Sequence, residues 1–135
     1  MRHRVSVIVA ALALAVGLAG CSGPGVTAQQ IKGLPTEIPG ASLGPDSAGM
    51  PLAVARGSDH LVVVVWDSLS CRPEPRSIAT EGAVPVITFT SRGSTCTADL
   101  AATSYVIPAE EFGGSIPTQL AVVVDGDRAD VTVSR

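Results

Sequence analysis

Leu61-Val62-Val63-Val64-Val65-Trp66 decides the fold: an unbroken apolar run preceded by Gly57-Ser58-Asp59 and broken again at Asp67-Ser68. Valine's branched Cβ stiffens χ1 and favours a pleated backbone over a helix. Successive strand side chains point to opposite faces, so a run without alternation needs cover on both of them. Residues 60–66 therefore read as the central strand of a sheet.

Working outward from this run, Leu52-Ala53-Val54-Ala55-Arg56 reads as a neighbouring strand, joined through the Gly57-Ser58-Asp59 turn. Downstream, Pro73 and Pro75 lack the amide hydrogen a ladder needs, so Arg72-Pro73-Glu74-Pro75 reads as a stiff extended connection. Residues 76–80 read as a strand turning at Glu81-Gly82. Residues 84–90 alternate, with Ile87 and Phe89 on one side and Val86, Thr88 and Thr90 on the other. Further strands are expected over 104–107, 119–124 and 129–133, the last two joined by the hairpin signal Asp125-Gly126-Asp127. The expected fold is all-β: a small antiparallel sandwich or open barrel of about seven short strands over residues 51–135. The likeness to an immunoglobulin domain is loose, because Trp66 precedes both candidate bridge cysteines instead of lying between them.

The N-terminus is built differently. Arg2, His3 and Arg4 precede an apolar stretch over 5–16, interrupted only by Ser6, and the small residues of Leu18-Ala19-Gly20 lead into Cys21. The stretch falls short of the roughly 20 apolar residues that span a bilayer. An ordinary secretory signal with Cys21 left free is the other alternative. The segment resembles the signal and lipobox of bacterial lipoproteins, which implies a signal peptide over 1–20, cleavage before Cys21 and acylation of its thiol. Two or more acyl chains anchor a protein stably. The expected location is the extracytoplasmic face of the cell membrane, with the lipid anchor as membrane partner. Residues 21–50, rich in Gly and Pro, read as a tether, which as a coil would hold the domain about 30 Å from the membrane. Ile31, Leu34, Ile38 and Leu43 are more apolar than a solvated linker requires, and part of 30–43 is expected to lie against the domain.

Once Cys21 is acylated, Cys71 and Cys96 remain, and an even pair in an exported domain is most simply one disulfide. Removing Arg2 and Arg4 with the signal leaves seven basic residues against twelve acidic, a formal charge of −5. A chain so acidic, with one Trp, one Tyr and two Phe, offers nucleic acid neither a basic patch nor stacking platforms.

Trp66-Asp67-Ser68-Leu69-Ser70-Cys71-Arg72-Pro73, followed by Cys96-Thr97-Ala98-Asp99-Leu100 and Tyr105-Val106-Ile107-Pro108, resembles a pattern of uncharacterised exported proteins and lipoproteins of actinobacteria. The resemblance supports the disulfide and the compartment and implies no activity. Leu69 departs from it, at a position where a serine is expected.

Catalytic chemistry has little to build on. His60 is the one histidine left after the signal, and Ser58, Asp59 and His60 are chain neighbours, which do not converge as a triad does. Asp125, Asp127 and Asp130 lack the spacing of a calcium loop, and Glu110-Glu111 reads as a solvated pair. No catalytic residue, metal ligand or cofactor is assigned. The first functional expectation is a non-enzymatic binding module for an envelope protein or small ligand. Its contact surface is placed on Arg72, Pro73, Pro75 and Arg76, which a disulfide and two prolines would hold ordered before binding. The alternatives are a small hydrolase using His60 and a structural envelope component.

Overall fold

The valine run is the middle of strand β3 (His60–Asp67), in a computed structural model that describes residues 25–36, 38 and 49–135. The signal segment, Cys21 and the remainder of 21–50 lie outside the described residues. Two four-stranded sheets face each other and neither closes on itself. The first has the order β1 (Gln29–Lys32), β6 (Ala101–Pro108), β3, β2 (Leu52–Arg56). The second has the order β4 (Pro73–Glu81), β5 (Val84–Ser91), β7 (Gln119–Val124), β8 (Asp127–Thr132). Two single turns of 3-10 helix, η1 (Leu69–Cys71) and η2 (Ala109–Phe112), complete the described elements.

Both faces of β3 are covered, and 61–65 have no exposed surface. Leu61, Val63 and Val65 point between the sheets, where they join Ile87 and Phe89 of β5, Ile107 of β6 and Leu120 and Val122 of β7. Val62 points the other way and packs with Val54 and Val106, and with Ile31 and Ile38 from upstream. The sheets are pinned by Tyr105, whose ring lies 5.5 Å from that of Phe89 and whose hydroxyl donates to the Pro73 carbonyl oxygen. Burial, with the Glu74 charge adding to it, raises the Tyr105 phenol above its ordinary value and keeps it a neutral donor.

The tether expected over 21–50 is corrected at β1, which pairs antiparallel with β6 from Gln29↔Val106 to Lys32↔Thr103, and the expectation that part of 30–43 lies against the domain holds for Ile31 and Ile38. The residues of β1 are the cover that the outer face of β3 requires. Gly33, at φ +84°, ends the strand, donates its amide to Ala102 O at 3.1 Å and accepts the Ser104 hydroxyl at 2.6 Å. Upstream, Val26 and Ala28 pack against the main core, and Thr27 N donates to Glu111 Oε1 at 2.9 Å. The folded unit thus begins well before residue 51.

The 72–75 connection is corrected too: Pro73 and Pro75 lie within β4, opposite Ser91 and Phe89. β4 is an edge strand, so a missing amide hydrogen on its free side costs nothing, and the register slips by one residue between Pro75 and Ser77. The expected antiparallel pattern fails once. β5 and β7 pair in parallel, Val86↔Ala121 to Phe89↔Val124, because β6 lies between them in the chain and crosses to the other sheet. A parallel pair needs such a long return. The β7–β8 hairpin turns at Asp125-Gly126 with φ of 50° and 96°, as its sequence signal requires. Beyond β8, Ser134 exchanges hydrogen bonds with Ala53 and Ala55, stitching the two sheets along β2.

Strand directions give the sandwich two distinct ends. The chain enters beside the β2–β3 turn and η2, whereas η1, the 92–100 segment and the β7–β8 turn gather at the opposite end.

Candidate functional site

The end opposite the chain entry is closed by a covalent and polar clasp. Ser68, extended at φ −60° and ψ 139°, starts η1 and accepts the Ser70 amide at 3.2 Å, which aims Cys71 at its partner. Cys71 and Cys96 are bridged, with Cα atoms 5.4 Å apart. Beside the bridge, Ser68 Oγ meets Ser70 Oγ at 2.8 Å and Thr97 Oγ1 at 2.7 Å, while Thr97 N donates to Ser70 Oγ at 2.9 Å. Asp99 accepts the Thr97 hydroxyl and, at 3.2 Å, the Leu69 amide. The pattern residues Ser68, Ser70, Cys71, Cys96, Thr97 and Asp99 are therefore the parts of one clasp, which holds an otherwise exposed segment to the sheet.

Two predictions arise here. Cys96→Ala should lower stability by about 3.5 kcal/mol, the loop-closure value for a loop of this length, and free 92–100 from η1. Unchanged thermal unfolding in the variant would refute the clasp's structural role. The second concerns acid. The Thr97 hydroxyl first, then the Leu69 amide, lowers the Asp99 carboxyl below its ordinary 3.8. A depressed folded-state value contributes stability that is present above the unfolded value and is lost as pH falls through the folded one. The urea midpoint of Asp99→Asn should fall short of wild type near neutral pH and converge with it as pH falls through the lowered folded-state value. A gap of constant size would show that charge plays no part.

A second junction lies beneath the clasp. Ser91 Oγ sits 2.6 Å from Asp67 Oδ2 and also contacts Asp125 Oδ2, and Ser91 N donates to Asp125 Oδ1 at 2.8 Å. It ties the ends of β3 and β5 to the β7–β8 turn. Trp66, at the end of the valine run, is half-buried, its Nε1 is shielded without a hydrogen-bond partner, and it lines a cleft of about 400 Å³ with Met50 and Asp127.

Around this junction the surface turns apolar. The exposed large hydrophobic side chains among the described residues are Met50 at 56%, Leu69 at 42% and Leu100 at 57%, and all three belong to this end. Their segments adjoin. A methyl group built on Gly49 would come 3.7 Å from Leu100 Cδ2, and Leu69 N binds the carboxylate of Asp99, next to Leu100. Arg72 and Arg92 border a neighbouring notch of about 200 Å³ with Leu69 and Glu74.

The residues expected to form the contact surface are only partly brought together. Pro73 is fully buried and cannot touch a partner, which corrects its assignment; its role is to present its carbonyl to Tyr105. Pro75 is half-buried, and Arg76 is exposed at the bulge, 3.8 Å from Glu74. Arg72 is half-buried, and its Nε is shielded without a hydrogen-bond partner. Sequence reasoning missed Arg92, which pairs with Glu74 at 2.7 Å, and the apolar group of Met50, Leu69 and Leu100. The available signal was the presence of large apolar residues in turn segments, where packing does not ask for them.

The remaining candidates are dispersed. His60 Nδ1 lies 3.1 Å from Asp59 Oδ2 on exposed side chains at the chain-entry end. Ser91 and Ser68, the serines coupled to carboxylates, are at the other end, about 23 Å away along an eight-residue strand. Asp125 is occupied by Ser91, and Asp130 pairs with Arg128 at 3.3 Å. Among the described residues no three His, Cys, Asp or Glu side chains are grouped to hold a metal ion. No family model matches the sequence, and no curated protein or solved structure matches the chain.

Proposed function

We propose that the chain is a lipid-anchored, extracytoplasmic envelope protein that acts as a non-enzymatic binding module, with the clasped end as its contact face. One observation carries this reading: the large apolar side chains exposed among the described residues converge on one end of the sandwich. Scattered surface leucines are ordinary, but a group rimmed by charge is the mark of an interaction surface. Covering the exposed parts of Met50, Leu69 and Leu100 would contribute roughly 1 kcal/mol each. The clasp supports the same reading, because a face already held by a disulfide loses less ordering entropy on association. Arg72 and Arg92 on one side of the apolar group and Asp67, Asp99, Asp125 and Asp127 on the other give it a rim of both signs, which suits a polar, orientation-selective contact with a protein partner. The disulfide suits an oxidising compartment and the Leu18-Ala19-Gly20-Cys21 sequence suits the anchor.

The test is site-specific photo-crosslinking in intact cells, with p-benzoylphenylalanine at Leu100 on the clasped end or at Thr80, exposed on β4 far from it. A discrete protein adduct from position 100 and none from position 80 is the expected result. Identical adduct patterns from both positions would remove the contact face. Fatty-acid labelling of the same cells tests the anchor, and Cys21→Ser should abolish incorporation.

A further inference from the structure

We infer that the point of attachment fixes the polarity of the domain on the membrane, with the chain-entry end kept next to the bilayer and the domain unable to stand on its clasped end. This rests on the lipid-anchor reading above and follows from where the chain joins the fold. Val26 packs against the main core, with Phe112 also packed there, and Thr27 is bonded to Glu111, so the point of attachment is the end carrying η2 and the β2–β3 turn. Five residue steps separate Cys21 from Val26. Fully extended they reach about 18 Å. A tether running to residue 50 would instead average about 30 Å and let every surface meet the bilayer.

The comparison that decides orientation is reach against height. β3 alone, seven residue steps long, spans about 23 Å from His60 to Asp67. For the domain to stand inverted on its clasped end, the linkage would have to cover that height from the opposite end, and about 18 Å does not suffice. The domain can lean but cannot invert. Nor does adhesion hold the entry end down. Asp59, Glu110 and Glu111 outnumber Arg56 there, a poor match for anionic headgroups, so the covalent linkage sets the geometry. The consequence is that Met50, Leu69 and Leu100 stay about one strand length from the attachment point and are not trapped beneath the domain, which leaves them accessible to a partner.

The single tryptophan provides the readout, since Trp66 belongs to the clasped end. Lipidated full-length protein is reconstituted into phosphatidylcholine vesicles carrying a dansyl-labelled lipid, and energy transfer from tryptophan to dansyl is measured. Transfer from Trp66 should be several-fold weaker than from a donor at the entry end, supplied by Phe112→Trp in a Trp66→Phe background. Ser115→Trp, on an exposed loop residue, is the second donor should the Phe112 variant melt early. Inserting twelve Gly/Ser residues between Ser22 and Gly23 should raise transfer from Trp66 towards the entry-end value. Equal transfer from both ends at native tether length overturns the orientation while leaving the anchor intact. Protein that carries no lipid mass and does not float with the vesicles overturns the anchor, and the orientation with it.

Discussion

A chain that begins at Pro51 is expected to lose its cooperative thermal transition, whereas one that begins at Gly25 keeps it. The shorter chain retains seven of the eight strands but lacks β1, so β6 becomes an edge and its backbone from Thr103 to Val106 loses the β1 partners. It also uncovers Val62, Val106 and Val54, which Ile31 and Ile38 now cover, and withdraws Val26 and Ala28 from the main core. Each apolar side chain returned to water costs on the order of 1 kcal/mol or more, and a small domain has only about 5–15 kcal/mol in total. Circular dichroism melts of the two chains check this. Equal midpoints would mean that the upstream segment is a passenger after all.

Phe89→Ala should be the most damaging single substitution in the core, at about 3–5 kcal/mol. Phe89 is fully buried on a central strand of the second sheet and packs, tilted by 52°, against the Tyr105 ring of the first, so removing its ring opens a cavity between the sheets. The neighbours cannot collapse easily into the gap. Tyr105 is held by its bond to Pro73 O, and the Asp125 amide is held by Phe89 O itself. With roughly 4–8 °C per kcal/mol for a domain of this size, the midpoint should drop by about 20 °C. Phe89→Leu, which refills part of the volume, should recover about half of the loss. An alanine variant within about 5 °C of wild type would mean the sheets do not meet through this contact.

What could be read from the residues followed from local rules. The valine run announced a strand covered on both faces, and Ile87 and Phe89 announced the inner side of β5, because side-chain alternation is a property of the strand itself. Asp125-Gly126 announced its turn because few residues other than glycine sit comfortably at positive φ. The disulfide was legible from cysteine arithmetic, two cysteines remaining once Cys21 is set aside. Long-range facts were hidden. β1 is short and set among glycines and prolines, and it is a strand because β6 offers it an edge and Val62 needs cover. Pro73 and Pro75 argued against a ladder by a rule that edge strands escape. The parallel pairing of β5 and β7 depends on β6 changing sheets, which no local pattern encodes.

The sequence located the bridged segment but not the apolar group beside it. Arg72 and Arg76 lie next to the disulfide-bridged Cys71, as the sequence places them, but the burial of Pro73 turns part of that stretch inward. Leu69, the departure from the pattern, is one of the exposed apolar residues, and Met50 and Leu100 join it only through strand pairing that brings residues fifty apart to one end. The clasp residues Ser68, Ser70, Thr97 and Asp99 are accounted for by architecture, since their polar groups are satisfied by one another.

The most direct test of the contact face keeps the photo-crosslinker at Met50 and changes its neighbours to Leu69→Asp and Leu100→Asp together. Both side chains are exposed, so the thermal midpoint should move by no more than about 4 °C. The proposed binding module predicts at least a ten-fold fall in the adduct formed in intact cells, since two carboxylates would stand where apolar contact is required. An undiminished adduct from a folded double variant would contradict it and move the function away from the clasped end.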